Sequence, residues 1–216
     1  MSITTLLFAG CIGDDFVLDN IDPVLRITNP VDTIALGTTF QFEQMYLNNV
    51  GQEEQVTVDW SSSDPSIISI NSTGLATANM IGATTITATL NTDSGTLETA
   101  TNIIVGMTTT LATQSIMGSI MTTSTYALSG DFVLESTDDG VKLTFADNYN
   151  ASSALPGLYV YLSNNPNSVA NAFEIGAVEV FNGAHDYDIE NVGLNDYGYL
   201  VYFCKPFNVK VGDGEL

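Results

Sequence analysis

The sequence predicts an all-β protein in two modules, an N-terminal β-sandwich followed by a second antiparallel β-sandwich or barrel-like domain. Three observations carry this reading. Apolar residues alternate with polar ones at period two through much of the chain. Turn residues interrupt the alternation about every ten residues, the rhythm of a sandwich or barrel. No amphipathic helical stretch of useful length is present. A chain of 216 residues is long enough for two small domains or one large one.

Within residues 24–105, Phe40 and Phe42 share one face while Gln41 and Glu43 share the other. Val56, Val58 and Trp60 alternate with Thr57, Asp59 and Ser61, and Ile86, Ala88 and Leu90 alternate with Thr85, Thr87 and Thr89. Thr on the wet face and β-branched or aromatic residues on the dry face mark half-buried strands. Gly37, Gly51, Asp64-Pro65, Gly74, Gly82 and Asp93-Ser94-Gly95 punctuate them. Residues 106–112 lack alternation and charge and read as a short linker, so the modules are expected to be neighbours. Residues 113–216 form the second module, with strands predicted at 131–135, 141–145, 158–162, 174–181, 198–205 and 207–211.

Three segments in the first module have a family resemblance. Val58-Asp59-Trp60-Ser61-Ser62-Ser63-Asp64-Pro65, Ser72-Thr73-Gly74-Leu75-Ala76-Thr77-Ala78 and Gly82-Ala83-Thr84-Thr85-Ile86-Thr87-Ala88 follow in an order and spacing that resemble the bacterial Ig-like domain, group 2. The resemblance implies a spacer or adhesive unit without catalytic residues. It makes Trp60 a core residue of a central strand, Ser62 to Pro65 a turn, and Gly74 the positive-φ residue of a hairpin. In the second module, Leu155-Pro156-Gly157-Leu158-Tyr159-Val160-Tyr161-Leu162 and Tyr202-Phe203-Cys204-Lys205-Pro206-Phe207 resemble the DM-thirteen electron-transfer domain. Two features depart from that family: Leu155-Pro156-Gly157 stands where Gly-Pro-Asp is usual, and Phe203 where Trp is usual. The family's redox assignment centres on the cysteine, so Cys204 alone carries over, as a candidate redox residue.

The N-terminus, Leu6-Leu7-Phe8-Ala9-Gly10-Cys11, resembles the lipobox of bacterial lipoproteins. Residues 1–10 are then a signal-peptide remnant, residues 11–23 a tether, and Cys11 the lipidated residue that anchors the chain to a membrane. Phe8 stands where Leu is usual, and no Lys or Arg precedes the apolar run. A core strand ending in Cys is the alternative; with lipidation, the true start is expected upstream. Asp14-Asp15 reads either as a surface-export signal or as a solvated part of the tether.

Composition narrows the function classes. Four cations against 25 acids give a formal charge of −21. Such a surface cannot neutralise phosphates, which excludes nucleic acid as a partner, nor is it drawn to anionic lipid headgroups. Acids are spread over both halves, the pattern of a solubility device rather than a binding patch. Asp138-Asp139 and Asp186-Tyr187-Asp188-Ile189-Glu190 are the densest clusters and read as solvated loops, without a calcium-loop pattern. His185 is the only histidine and is expected in an exposed turn. One histidine and two cysteines provide no Cys/His metal cluster, and catalysis through a Ser-His or Cys-His pair is left only with His185. Cys204, in an apolar run, reads as a buried structural thiol or as a redox or ligand residue.

The sequence therefore predicts a non-enzymatic, lipid-anchored protein of the cell envelope or surface. An Ig-like stalk would present the second module as an interaction head to a protein or surface partner. The alternative is an extracytoplasmic electron-transfer protein using Cys204 or an unseen cofactor. No cofactor follows from the residues themselves.

Overall fold

A computed structural model describes residues 20–112 and 115–216. Cys11, the predicted signal remnant and most of the predicted tether lie outside the described residues. The first module contains β1 (Val24–Ile27), β2 (Val31–Ala35), β3 (Thr39–Gln41), β4 (Gln44–Leu47), β5 (Glu53–Glu54), β6 (Asp59–Ser62), β7 (Ile68–Ile70), β8 (Leu75–Ala78), β9 (Gly82–Thr92), β10 (Gly95–Gly106) and β11 (Thr110–Leu111). A five-stranded sheet, β11-β2-β10-β9-β6, faces two three-stranded sheets, β1-β4-β5 and β3-β8-β7. The long β9–β10 hairpin is the frame. In β9, Thr84, Ile86, Ala88 and Leu90 are buried while the residues between them are wetter, the alternation its sequence shows.

The module's turns account for the motif residues. Gly74 takes φ +83°, closing the β7–β8 hairpin, and a side chain there would meet the Phe42 carbonyl oxygen at 2.9 Å. The Asn71 carboxamide oxygen accepts from the Thr73 and Leu75 amides and holds the same turn. The serine run is structural as well. Thr84 Oγ1, almost fully buried, accepts the Asp64 amide at 3.0 Å and lies 3.0 Å from both the Ser62 and Ser63 hydroxyls. Thr84→Val keeps the shape and strips this hub, leaving the partly buried Asp64 amide without its partner. It is expected to destabilise the first module by about 1–3 kcal/mol, measured by urea unfolding; a loss within error of zero would show that the serines are satisfied by solvent.

Two expectations change here. Trp60 is not on a central strand: β6 is the edge of its sheet, and Trp60 is half-buried between two apolar clusters, 5.9 Å from the Phe42 ring. The segment read as the linker is also partly docked. Gly106 ends β10, whose last residues pair parallel with β2, and β11 adds antiparallel to the other side of β2. Thr109 Oγ1 accepts the Ala35 amide at 3.0 Å. A run without alternation still makes strand when it closes a sheet edge whose backbone groups need partners.

The second module contains β12 (Ser115–Thr122), β13 (Leu128–Ser136), β14 (Gly140–Phe145), β15 (Asn150–Ala151), β16 (Leu158–Ser163), β17 (Phe173–Ala177), β18 (His185–Glu190), β19 (Tyr199–Cys204) and β20 (Val209–Glu215), with a 3-10 turn at Lys205–Phe207 between the last two. Its strands form one sheet in the order β17-β16-β19-β20-β12-β13-β14-β18, with β15 beside β13. The sheet curls into a nearly closed barrel. Between β17 and β18 the chain is stitched to neighbouring strands: the Val178 amide bonds Leu158, the Ala151 amide bonds Phe181, and the Gly183 amide bonds Tyr149.

Inward positions of β13, β14, β16 and β19 fill the interior with Leu128, Phe132, Leu134, Val141, Leu143, Phe145, Leu158, Val160, Leu162 and Leu200. Gly118 and Gly214 make room for the Phe132 ring, since a Cβ at either would lie within 3.1 Å of it. The apolar clusters of the two modules share no residue. The modules meet instead through a polar seam. Arg26 donates to Asn164 Oδ1 at 3.3 Å, Asn165 Nδ2 donates to the Val50 carbonyl at 3.2 Å, and Asn195 Nδ2 donates to the Thr28 carbonyl at 3.4 Å. Gly51 lets the Asn164 backbone approach, because a Cβ there would meet its carbonyl oxygen at 2.6 Å.

Candidate functional site

Strands β16 and β19 carry the residues that set the second module apart, and they are hydrogen-bonded partners, with Leu158 opposite Cys204 and Val160 opposite Tyr202. Both faces of this pair are covered. Leu158, Val160, Leu162, Leu200, Tyr202 and Cys204 point into the barrel, while Tyr161, Val201 and Phe203 form an outer cluster under Val169 and Ala172. Strands buried on both faces read as continuous apolar runs, which is how Tyr199–Cys204 reads. Gly157 lets the Pro206 ring pack within 2.8 Å of where its Cβ would stand, joining the start of β16 to the turn after β19.

Cys204 is a free thiol with 1% of its surface exposed, at the inner end of β19 among aliphatic side chains and Tyr202. Phe203 lies on the opposite face and Phe207 is exposed in the 3-10 turn, so neither encloses the sulfur. Lys205 points outward. Its Nζ bonds both Glu174 carboxylate oxygens, at 2.7 and 2.9 Å, and stands 4.6 Å from the Tyr159 ring centre. Tyr161 Oη also donates to Glu174, at 3.1 Å. The Lys205 ammonium, followed by the Tyr161 hydroxyl, holds the Glu174 carboxyl below its usual range, while burial and Glu174 push the Tyr161 phenol up to about 12. Lys210 pairs with Asp213 on β20.

His185 departs from expectation. It is the first residue of β18 rather than an exposed turn residue, and it is partly buried in an aromatic cage. Its ring stacks on Phe145 at 4.8 Å and meets the edge of Tyr149 at 4.5 Å, with Tyr187 at 5.5 Å. Nδ1 lies 2.9 Å from the Gly183 carbonyl oxygen. A carbonyl only accepts, so Nδ1 carries a hydrogen, which in the neutral ring leaves the lone pair on Nε2. The acidic run 186–190 is likewise the outer face of β18, not a loop. Lys142 on the neighbouring β14 bonds Asp186 at 2.9 Å and faces Asp188 at 3.7 Å.

Around His185 lies a feature that sequence reading missed. Tyr149 and Tyr202 are fully buried, their rings 6.4 Å apart. His185 Nε2 is buried without a hydrogen-bond partner among the described residues, while the buried Tyr149 and Tyr202 hydroxyls face each other closely enough for each to act on the other's ionisation through a side-chain hydrogen bond. A buried polar atom left without a partner costs about 1–3 kcal/mol. Burial pushes the Tyr149 phenol up to about 12 and the Tyr202 phenol well above the ordinary tyrosine range. The three residues come from β18, β19 and the loop after β14, so no linear motif unites them. The one available signal is the alternation of His185, Tyr187 and Ile189 with acids, which marks a strand with an inward histidine.

The seam holds cavities of about 470 and 570 Å³ that share Asn164 in their lining. Arg26 lines the first with Asp22 and Tyr199; its guanidinium is desolvated by burial, which lowers its pKa, while Tyr199 and Glu215 oppose that shift.

Compared with known families, residues 25–101 match the family model of the bacterial Ig-like domain (group 2). The match spans β1 to most of β10 and ends before the second module. No curated protein sequence matches the chain.

Proposed function

We propose that this chain is a non-enzymatic protein of the cell surface, in which the Ig-like module is a stalk and the second β module an interaction head, held to the envelope membrane by lipid on Cys11. The match of residues 25–101 to an Ig-like family carries the reading, since such domains are typically extracellular or surface-exposed. The joint between modules supports it. β11 binds the connecting segment to the stalk, and Arg26, Val50 and Thr28 meet Asn164, Asn165 and Asn195 of the head, so the head is presented in a preferred orientation. The short Lys142, Lys205 and Lys210 pairings leave the surface dominated by unpaired acids, which suits a basic or neutral partner rather than a polyanion. The electron-transfer alternative rests on Cys204, and the burial of that thiol supports a structural role over a solvent-facing redox one.

Metabolic labelling with a fatty-acid analogue, combined with protease treatment of intact cells, tests this. A labelled chain that loses its label in Cys11→Ala, and whose head is cleaved from outside, is the expected result. An unlabelled, protease-protected chain of full length in the cytoplasm would overturn it.

A further inference from the structure

Four cations stand among the 25 acids of this chain, and three of them are paired within the protein. Lys142 pairs with Asp186, Lys205 with Glu174 and Lys210 with Asp213. The fourth, Arg26, has no carboxylate at ion-pairing distance among the described residues. Of its five N–H donors, one reaches a described acceptor, Asn164 Oδ1 at 3.3 Å. A partly desolvated charge is stabilised by a counter-charge, and here the described residues place none against it.

The position of Arg26 is built. It comes from β1 and lines two cavities of the seam, of about 470 and 310 Å³, that also share Val24 and Tyr199. Asn164 uses both ends of its amide to hold the guanidinium: Oδ1 accepts from Arg26, and Nδ2 donates to the Asp196 carbonyl at 2.8 Å. Gly198 leaves room for the other arm of the fork, since a Cβ there would strike Arg26 Nη2. Acids share these cavities without pairing the arginine. Asp22 lines the larger one and Glu215 the smaller. Burial, then Glu215, Asp213 and Asp22, push the Tyr199 phenol up, and Arg26 opposes them. Ile21 and Val24 add an apolar wall.

We propose that this seam cavity binds a free α-amino acid with an aliphatic side chain, its carboxylate on the Arg26 guanidinium, its ammonium toward Asp22 and its side chain along Ile21 and Val24. The charge pattern selects the class of ligand. An oriented guanidinium presents a planar fork that suits a carboxylate. A simple anion would satisfy Arg26 but meet repulsion from Asp22, from Glu215 and from a net charge of −21. A simple cation would satisfy the acids but meet Arg26. A zwitterion satisfies both and enters that field without net charge. The site draws Asp22 and Arg26 from the first module and Asn164 and Tyr199 from the second, so it is complete only while the seam is closed. It does not depend on how the chain is anchored.

The test titrates the full chain by calorimetry with three molecules of one carbon frame: L-leucine, isocaproate, which lacks the ammonium, and isoamylamine, which lacks the carboxylate. Leucine is expected to bind about tenfold or more tighter than either. Arg26→Lys keeps the charge and loses the fork, and should weaken leucine by about tenfold. Asp22→Asn changes an exposed side chain, and should weaken leucine several-fold while leaving isocaproate no weaker. Saturating leucine should raise the thermal transition of the lower-melting module, because unfolding of either module destroys the site. That shift should be missing in Arg26→Met, with far-UV circular dichroism reporting that the fold is kept. Isocaproate binding as tightly as leucine would overturn the proposal by reducing the site to a plain anion site. Isoamylamine binding as tightly would overturn it by placing the ligand on the acids alone. No binding of leucine at millimolar concentration, or binding unchanged in both Arg26→Lys and Asp22→Asn, would equally overturn it and leave Arg26 as a latch between the modules.

Discussion

Phe145→Ala is expected to destabilise the second module by about 3–5 kcal/mol and leave the first module unchanged. Phe145 is fully buried at the inner end of β14, and its ring touches Phe132 at 6.2 Å, Tyr149 at 4.8 Å, His185 at 4.8 Å and Tyr187 at 6.3 Å. No neighbour can collapse into the space, because these rings are held from other strands and Gly130 lies hard against the Tyr149 backbone. The loss is therefore a cavity as well as a transfer effect. For a module of about 100 residues it lowers the melting temperature by roughly 15–30 °C.

Confinement of the effect follows from the seam. The two cores share no residue, and the bonds across the boundary are a few amide and guanidinium contacts flanked by cavities. Hydrogen bonds of this kind contribute about 1 kcal/mol each, less than either core. Scanning calorimetry should then show two transitions, of which Phe145→Ala moves only one. A single transition displaced as a whole would show that the seam couples the modules more tightly than its contacts indicate.

Much of the fold was legible in the sequence because period two is enforced wherever one face of a strand is dry. β9 and β14 alternate cleanly, and the predicted strands near 131–135, 141–145 and 158–162 match β13, β14 and β16 within a few residues. Where the outer face is not polar, the signal weakens. β12 places Ile116, Gly118 and Ile120 inward but exposes Met117 and Met121, so its alternation carries little contrast. β18 alternates well, yet its acids masked it as a solvated loop until Lys142 is seen across from them. The family resemblance makes Trp60 a central-strand residue, but strand order is a non-local property and places it at an edge. The Tyr149–Tyr202–His185 cluster was invisible for the same reason: barrel closure assembles it from three distant segments. Cys204 was legible as a buried residue, because an uninterrupted apolar run leaves a strand no wet face.

Cys204 is expected to react with iodoacetamide far more slowly than a free model thiol near neutral pH, by on the order of a hundredfold or more. The measurement needs a Cys11→Ala background, so that one thiol remains to be counted. Reagent can reach the sulfur only if β19 separates from β16 or from β20, since Leu158 and Val209 stand opposite it on either side. β16 and β19 are buried on both faces near Cys204, so an opening that parts them approaches unfolding of the module. Phe145→Ala should therefore accelerate labelling in proportion to the stability it removes. Cys204→Ser places a hydroxyl in the same dry site and is expected to cost about 1–3 kcal/mol if it finds no acceptor. Labelling as fast as a model thiol in the folded protein, together with an unchanged stability for Cys204→Ser, would instead mark β19 as mobile at its end and return the redox reading to the foreground.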